Sequence, residues 1–273
     1  MSGFRNFTKL ERFELKYTIP FEMVQHICDF SKPYCSMDEY SLLSEDHYYD
    51  INNIYMDSPG FYLLKQREEG ADNRFNLRVR SYGKNANLPF HLEVKWKKGS
   101  IIRKYRASVF REDWCNIFFQ PGYSDSLGLE GESLKNLQMF ERLAVSLSAG
   151  PVITTSYRRK ALFSTIDDYV RLTFDTELNY MEAGGFNMPT QSSTMLPYDT
   201  EQLFDPGASV VFEIKSYAPE VPWWIVDLIN TFDLRRSSFS KYASGMNQLR
   251  KDTGFYGFNQ DFSVPFENFR EMR

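Results

Sequence analysis

The sequence lacks the features of a secreted or membrane-spanning chain. Its N-terminus carries no apolar signal segment, and its longest apolar run, residues 223–229, is interrupted by Asp227. Because a helix needs about 20 predominantly apolar residues to cross a bilayer, this run is far too short. We therefore expect a soluble protein of the cytoplasm.

Cysteine, histidine and net basic charge are also scarce. The 3 cysteines show no metal-ligand spacing, so we expect buried free thiols in a reducing compartment. The 3 histidines show no such spacing either. With a formal net charge of -4, the chain has no global basic field that would attract nucleic acid. Any basic function must therefore rest on a local patch.

The residues that are present suffice for one folded domain. The chain has 273 residues and 16% of them are aromatic, which argues against disorder and allows a sizeable core. Strands are predicted at residues 12–18, 48–56, 152–162, 169–178 and 210–217, with three more in 74–106. Helices are predicted at 20–30, 57–69, 111–119, 133–147, 221–232 and 238–250, and a long loop at 182–207. Hairpins mixed with helices indicate a single α+β domain with a mostly antiparallel sheet, a core at about 10–250 and a tail at 251–273.

Charged residues follow the strands at alternate positions, and alternate residues of a strand share a face. In the stretch 74–106, the residues that we expect on one charged face are Arg74, Asn76, Arg78, Arg80, Glu93, Lys95, Lys97 and Arg103. The pattern Glu-x-Lys also occurs at 14–16, 93–95 and 213–215, and Arg159 and Arg171 lie on further strands.

Two structures could explain these faces. A half-solvated sheet alternates in this way by default, and this explanation suffices for any one strand. However, the faces favour arginine, whose planar fork suits bidentate contacts to phosphate. If the sheet closes into a barrel, the charged faces point inward, where so many cations require a polyanion or water. Composition and spacing leave both possibilities open.

The motifs, in their order, resemble those of a known family. They read ERFELKY, IYMDSPGFYLLKQREEG, RFNLRVRSYG, HLEVKWKKGSIIRKYR, TSYRRKALFS, VRLTFDTEL, VVFEIKSY and SFSKYASGM. Over about 10–249 the chain is similar to the VTC domain, the polyphosphate polymerase domain of the vacuolar transporter chaperone complex and a branch of the triphosphate tunnel metalloenzymes. The resemblance implies an eight-stranded antiparallel β-barrel that forms a tunnel, with helices packed on the outside.

The resemblance also implies the site residues. Catalytic tunnel cations are implied at Lys16, Arg78, Arg80, Lys95, Arg103, Arg159, Arg171 and Lys241. Further phosphate or nucleotide contacts are implied at Tyr157, Ser240, Lys215 and Arg74. The metal position, for Mn²⁺ or Mg²⁺, is Glu213. Glu14, Glu93 and Asp175 are secondary metal candidates, although we favour them as partners of the tunnel cations, whose charge must be balanced.

Some residues depart from the family pattern. Arg12 stands where the thiamine-triphosphatase and adenylate-cyclase branch has glutamate, which favours the VTC branch. Arg103 stands where we expect lysine, and Asn76 where a basic residue is common, so the tunnel wall is expected to be slightly less cationic.

The implied activity is transfer of the γ-phosphate of ATP onto a polyphosphate chain. Such transfer needs positioning and charge neutralisation rather than a protein nucleophile. The alternatives are a hydrolase of tripolyphosphate or polyphosphate, and a non-catalytic polyphosphate-binding subunit. The expected partners are ATP and polyphosphate or triphosphate, and no nucleic acid. The regulatory and transmembrane domains of the vacuolar complexes are not recognised in this sequence, so a separate membrane protein could hold the chain at the inner face of a membrane.

Overall fold

The computed structural model describes residues 12–99, 101–167, 169–188, 194–197, 209–217 and 221–252. Its strands are β1 (Arg12–Ile19), β2 (Cys35–Met37), β3 (Tyr49–Asp57), β4 (Asn73–Tyr82), β5 (Asn87–Lys98), β6 (Ile101–Val109), β7 (Gly150–Ser164), β8 (Val170–Glu182), β9 (Leu196–Pro197) and β10 (Val210–Tyr217). Its α-helices are α1 (Met23–Ser31), α2 (Glu39–Leu42), α3 (Tyr62–Glu68), α4 (Gly131–Ser146), α5 (Trp223–Thr231) and α6 (Lys241–Asp252). Two 3₁₀ helices span Glu112–Phe118 and Tyr123–Leu127.

One large antiparallel sheet carries the architecture. Eight strands follow one another in the order β1-β10-β8-β7-β3-β4-β5-β6, and each is antiparallel to its neighbours. The short strands β2 and β9 pair with β7 and β8. The predicted α+β class, with eight antiparallel strands, is thus confirmed.

The outer face of the sheet is covered by helices in two apolar cores. On β3 to β6, the outward residues, such as Leu77 and Val94, pack with Trp114 and with Phe140 of α4. On β1, β7, β8 and β10, the outward residues, such as Phe212, pack with α1 and with Trp224 of α5. Full burial of each large apolar side chain contributes about 1.5–3 kcal/mol. These cores fix which face of every strand looks inward.

A third core lies on the inner face. Ile51, Tyr55 and Tyr157 point inward and pack with Tyr242 and Met246 of α6. At Gly245, an added Cβ would lie 2.9 Å from Ile153 Cδ1, so glycine lets the helix approach β7 this closely. Because α6 fills part of the interior, its first residues are held among the inward strand faces.

The two edge strands approach each other across a seam. Parts of β1 and β6 contact one another, although no backbone ladder joins them in the described part of the chain. A side-chain ion pair spans this seam, since Lys95 Nζ of β5 lies 2.8 Å from Glu14 Oε2 of β1. The sheet therefore wraps into a barrel-like shape that, within the described residues, is not closed by a backbone ladder.

The predicted elements are largely confirmed, with shifts at their ends. The helix predicted at 57–69 begins only at Tyr62, because the Asp57 carboxylate, ahead of the helix, accepts the N–H groups of Leu63 and Leu64. The segment 111–119 is a 3₁₀ helix rather than an α-helix. Strand β2 and helix α2 were not predicted. Most of the predicted loop 182–207, and the tail from 253 onward, lie outside the described residues. No helix in the described ranges is long and apolar enough to span a bilayer.

Candidate functional site

The inward faces of the strands bring most of the predicted site residues together. Strand register places Lys16 of β1 opposite Glu213 of β10, and Glu213 opposite Thr173 of β8. The N-terminal residue of α6, Lys241, reaches the same region and is buried. The predicted charged faces are therefore one inner surface built by several strands, not separate solvated ones.

Glu213 and Glu14 hold the lysines of this surface. Lys16 Nζ lies 3.3 Å from Glu213 Oε1 and 3.5 Å from Glu14 Oε1, and it donates to the Phe239 carbonyl at 3.1 Å. Lys215 Nζ contacts the other oxygen of Glu213. Burial by itself raises the pKa of Glu213, but the charges of Lys215 and Lys16 outweigh it and hold that pKa well below its ordinary value. Glu213 is thus ionised.

Asp175 organises the part of the surface next to α6. Its carboxylate accepts a bidentate pair of bonds from Arg159, at 2.6 and 2.8 Å, and also binds Lys241 Nζ. Arg159 Nη2 lies 3.8 Å from Glu213 Oε2, so the two carboxylates share this guanidinium. Tyr157 lies beneath both cations, with Lys241 Nζ 4.5 Å from its ring centroid. Ser240 precedes α6, and its Oγ accepts the N–H of Ala243 at 3.4 Å.

A second cluster is centred on Glu93 of β5, whose side chain is fully buried. Its carboxylate is contacted by Arg78 Nε at 2.7 Å, by Arg106 Nε at 2.6 Å and by Lys104 Nζ at 2.6 Å. Burial raises the pKa of Glu93, yet the surrounding cations, Arg78 first, hold it well below the ordinary value. Glu93 therefore acts as the counter-ion of this cluster, as favoured from the sequence.

Arg80 and Arg171 have partners of their own. Arg80 donates to the Asn53 side chain at 2.9 Å and to the Tyr157 hydroxyl at 3.1 Å. Arg171 donates to Asp38 Oδ2 at 3.0 Å and to the Tyr49 hydroxyl at 3.1 Å. Neither Asn53 nor Asp38 was predicted from the sequence, because their side chains meet these arginines only through the fold.

The expectation that Arg103 belongs to this inner face is wrong. Strand β6 turns Tyr105, Ala107 and Val109 toward the outer apolar core, and Arg103 shares their face. In register, Arg103 lies opposite Trp96, which packs on the same outer core. The inward residues of β6 are Lys104 and Arg106, which the sequence analysis missed. The apolar spacing 105, 107 and 109 was the signal that could have identified them.

Cations exceed carboxylates on the inner face. The inward cations in the described residues include Lys16, Arg78, Arg80, Lys95, Lys104, Arg106, Arg159, Arg171, Lys215 and Lys241. The carboxylates that contact them are Glu14, Asp38, Glu93, Asp175 and Glu213. Several of these cations are reachable by solvent, with side-chain exposure of 38% for Lys104, 33% for Lys95 and 22% for Lys16. The inner face is thus an accessible surface with excess positive charge.

A divalent cation fits the carboxylates of β1 and β10. Glu14 and Glu213 bracket one position, now held by the Lys16 ammonium, and both offer the oxygen ligands that Mg²⁺ and Mn²⁺ prefer. The fully buried Thr173 hydroxyl, opposite Glu213 in the strand register, has no hydrogen-bond partner among the described residues. Within those same residues, no group of three or more His, Cys, Asp or Glu converges as a metal site. A metal would therefore need one or two protein carboxylates, completed by substrate oxygens or water.

Comparison with known proteins gives one extensive match. The model of the VTC domain family matches residues 11–250. A search among curated proteins finds no match.

Several solved structures are similar at low identity. A candidate adenylyl cyclase from Hippeastrum, described as having a dominant triphosphatase activity, is 13% identical, with a TM-score of 0.45 over 87% of this chain and 96% of that one. A candidate adenylate cyclase from Vibrio parahaemolyticus is 11% identical, with a TM-score of 0.43 over 87% of this chain and 98% of that one. A protein from Pyrococcus horikoshii is 10% identical, with a TM-score of 0.42 over 87% and 99%. Likenesses this distant carry no argument about activity.

Proposed function

The chain belongs to the VTC domain family, and we propose that it is a metal-dependent phosphotransferase that moves the γ-phosphate of ATP onto a polyphosphate chain. The observation that carries this proposal is the accessible inner face, on which arginine and lysine outnumber carboxylates. A surface of this kind suits a ligand with one negative charge or more on each phosphate.

In this proposal, the cations position the phosphates and neutralise their charge. Arg159 and Lys241, which Asp175 holds in position, would contact non-bridging oxygens. Lys104 and Arg106, with Arg78, are the corresponding donors around Glu93. Because the chemistry needs positioning rather than a protein nucleophile, this donor set is sufficient for the protein's part.

Glu213, with Glu14 as its neighbour, would hold the divalent ion. When bound, that ion supplies charge neutralisation at the transferring phosphoryl group. Lys16 and Lys215 now satisfy the Glu213 carboxylate and would move toward phosphate oxygens when a metal takes their place. This exchange keeps the carboxylate paired in both states, which avoids an isolated buried charge.

The test is incubation of the purified protein with ATP and Mn²⁺. We expect long polyphosphate and ADP, and we expect Glu213→Gln to abolish both products while circular dichroism shows an unchanged fold. The matched control is Glu177→Gln, an exposed carboxylate on β8 that lies outside the inner surface. Full activity of the Glu213 variant would exclude the assigned metal position.

Hydrolysis of tripolyphosphate is the second candidate function. It is favoured by one observation, the solvent exposure of Lys104 and Lys95, since water that reaches these cations can also reach a bound phosphate. Release of orthophosphate from tripolyphosphate, without any lengthening of the chain when ATP is added, would select hydrolysis over transfer. Binding of polyphosphate that is unaffected by Glu213→Gln, with no turnover of either substrate, would instead indicate a non-catalytic binding subunit.

A further inference from the structure

A separate group of cations lies where the inner face ends, beyond Lys16 and Lys95. It comprises Arg67 of α3, Arg74 of β4, Lys97 of β5 and Arg236, which precedes α6; we call this group the basic rim. In the described part of the chain, none of the four lies within 4.0 Å of a carboxylate oxygen. In this respect the basic rim differs from the inner site, where the cations other than Arg80 lie within 4.0 Å of a carboxylate oxygen.

The backbone holds the rim cations together. Arg74 and Lys97 lie directly opposite each other in the β4–β5 register, an arrangement of like charges that destabilises a sheet unless an anion compensates it. Arg67 donates to the Ser238 carbonyl at 3.0 Å, and Arg74 donates to the Ala71 carbonyl at 2.5 Å. These bonds to carbonyls orient the guanidinium groups without placing a carboxylate against them.

The rim is continuous with the inner site. The backbone of Arg236 pairs with Tyr17, and the N–H of Ser237 donates to the Lys16 carbonyl at 2.7 Å. Burial lowers the pKa of Lys97, and the charges of Arg74, Arg67 and Arg236 lower it further, against the charge of Asp72, which raises it. Burial and the charge of Arg67 also lower the pKa of Lys16, although Glu213 and Glu14 outweigh them and hold that pKa above its ordinary value. A polyanion that leaves the Glu213 and Lys16 region toward this end would therefore meet the rim next.

We propose that the basic rim binds the part of a linear polyphosphate chain that extends beyond the inner site. The inference rests on the proposed function, because it assumes that phosphates occupy the inner site. The four rim residues supply only guanidinium and ammonium donors and no aromatic ring, which suits a run of phosphates rather than a nucleobase. A short triphosphate would be held by the inner site and would not need the rim.

The test compares two ligands on variants of the full chain. Binding of tripolyphosphate and of long-chain polyphosphate is measured by calorimetry over a range of salt concentrations. For the combined variant Arg67→Gln, Lys97→Gln and Arg236→Gln, we expect the Kd of long-chain polyphosphate to rise about tenfold or more, and the dependence of log Kd on log salt to become shallower. The Kd of tripolyphosphate should stay within about twofold of its value for the unmodified protein. Since Arg67 also supports the segment before α6, the double variant Lys97→Gln, Arg236→Gln is measured as well, and it should show the same selective loss.

The matched control is Arg235→Gln, which removes a neighbouring cation that already lies 3.5 Å from Asp233. It should leave both affinities unchanged. An equal loss of affinity for the two ligands, or no loss of affinity for either, would contradict the proposed role of the basic rim. The proposal would also be contradicted if substitution of the rim residues weakened binding to anionic lipid vesicles but not binding to long-chain polyphosphate. If long-chain polyphosphate binds through the rim but neither ATP nor tripolyphosphate is turned over, the rim stands and the proposed function fails.

Discussion

At the scale of single residues, the inner face is built from small clusters in which one carboxylate contacts two or three cations. Glu93 is bound by Arg78, Lys104 and Arg106, and Asp175 by Arg159 and Lys241. Removing one member of a buried pair leaves the other uncompensated, which costs far more than the pair itself contributes to stability. Substitutions on this surface therefore need conservative replacements and a check of folding.

Neighbouring positions on β6 provide a matched comparison. We expect Lys104→Gln to weaken tripolyphosphate binding by about 1.5–3 kcal/mol, the range for a hydrogen bond to a charged group. Arg103→Gln should leave binding unchanged, because Arg103 lies on the outer face. Calorimetric Kd values for the two variants measure the difference. Equal effects at the two positions would contradict the assignment of the strand faces.

Lys215 predicts a pH dependence of phosphate binding. Burial lowers the pKa of Lys215 to about 8, although Glu213 raises it in part. Its ammonium charge is therefore lost as pH rises through about 8, and the affinity for tripolyphosphate should fall over that interval.

The variant Lys215→Arg should flatten this fall, since arginine keeps its charge there. Tyr82, whose pKa is lowered to about 8 against the effect of burial by Arg80 and Arg106, could add to the fall, and Tyr82→Phe isolates its share. A fall of equal size in Lys215→Arg would exclude Lys215 as its source.

The same pKa predicts the sign of a stability change. The unfolded lysine, with an ordinary pKa of 10.5, binds more protons than folded Lys215 between about pH 8 and 10.5. Lys215 therefore makes the free energy of unfolding rise as the pH increases from about 8 to 10.5. Below about pH 8, the folded protein bears the full cost of burying the charged ammonium group.

At the scale of elements, Asp57 joins a strand to two helices. It ends β3, accepts the N–H groups of Leu63 and Leu64 at the start of α3, and accepts the hydroxyl of Tyr242 of α6 at 2.5 Å. Tyr242 directly follows Lys241, so Asp57 helps to set the position of the N-terminus of α6 relative to the inner site.

Asp57→Ala should lower the free energy of unfolding by about 2 kcal/mol or more, because a helix cap is lost and buried groups lose their partner. Urea denaturation measures this change. As a control, Asp46→Ala removes a half-exposed carboxylate that pairs with Arg158 outside these helices, and it should cost less than about 1 kcal/mol. A similar loss in the two variants would contradict the role of Asp57 as a link between elements.

At the scale of the whole molecule, positive charge exceeds negative charge on the inward faces of the sheet. The inner apolar core and α6 occupy one part, and the charged clusters line the rest. The eight strands meet at a seam spanned by the Lys95–Glu14 pair rather than by a ladder in the described residues. Like charges on this surface repel one another, so an anion that binds it stabilises the folded state.

Tripolyphosphate should therefore raise the melting temperature of the protein. At a concentration 100 times its Kd, one bound ligand adds about 2.7 kcal/mol to the stability. Differential scanning fluorimetry measures the shift, which should shrink as salt rises because screening weakens the contacts. A neutral solute at equal concentration is the control. An equal shift with that solute would mean that the phosphate does not bind specifically.

The sequence by itself determined the eight long strands of the sheet and which residues of each share a face. Side chains alternate with a period of two, so the grouping of Lys16 with Glu14, or of Arg78 with Arg80, needed no tertiary information. The ordered motifs also indicated the family before any fold was known. Strand 210–217 was predicted with the bounds that the structure has.

Only the tertiary structure decided which face of a strand looks inward and which distant residues meet there. Arg103 was misassigned because the pairing of β5 with β6, and the helices outside them, turn Lys104 and Arg106 inward instead. Asp38 meets Arg171 across 133 positions of sequence, and no local pattern encodes such a contact. Local alternation is set by the backbone, whereas the balance of buried charge is set by long-range packing.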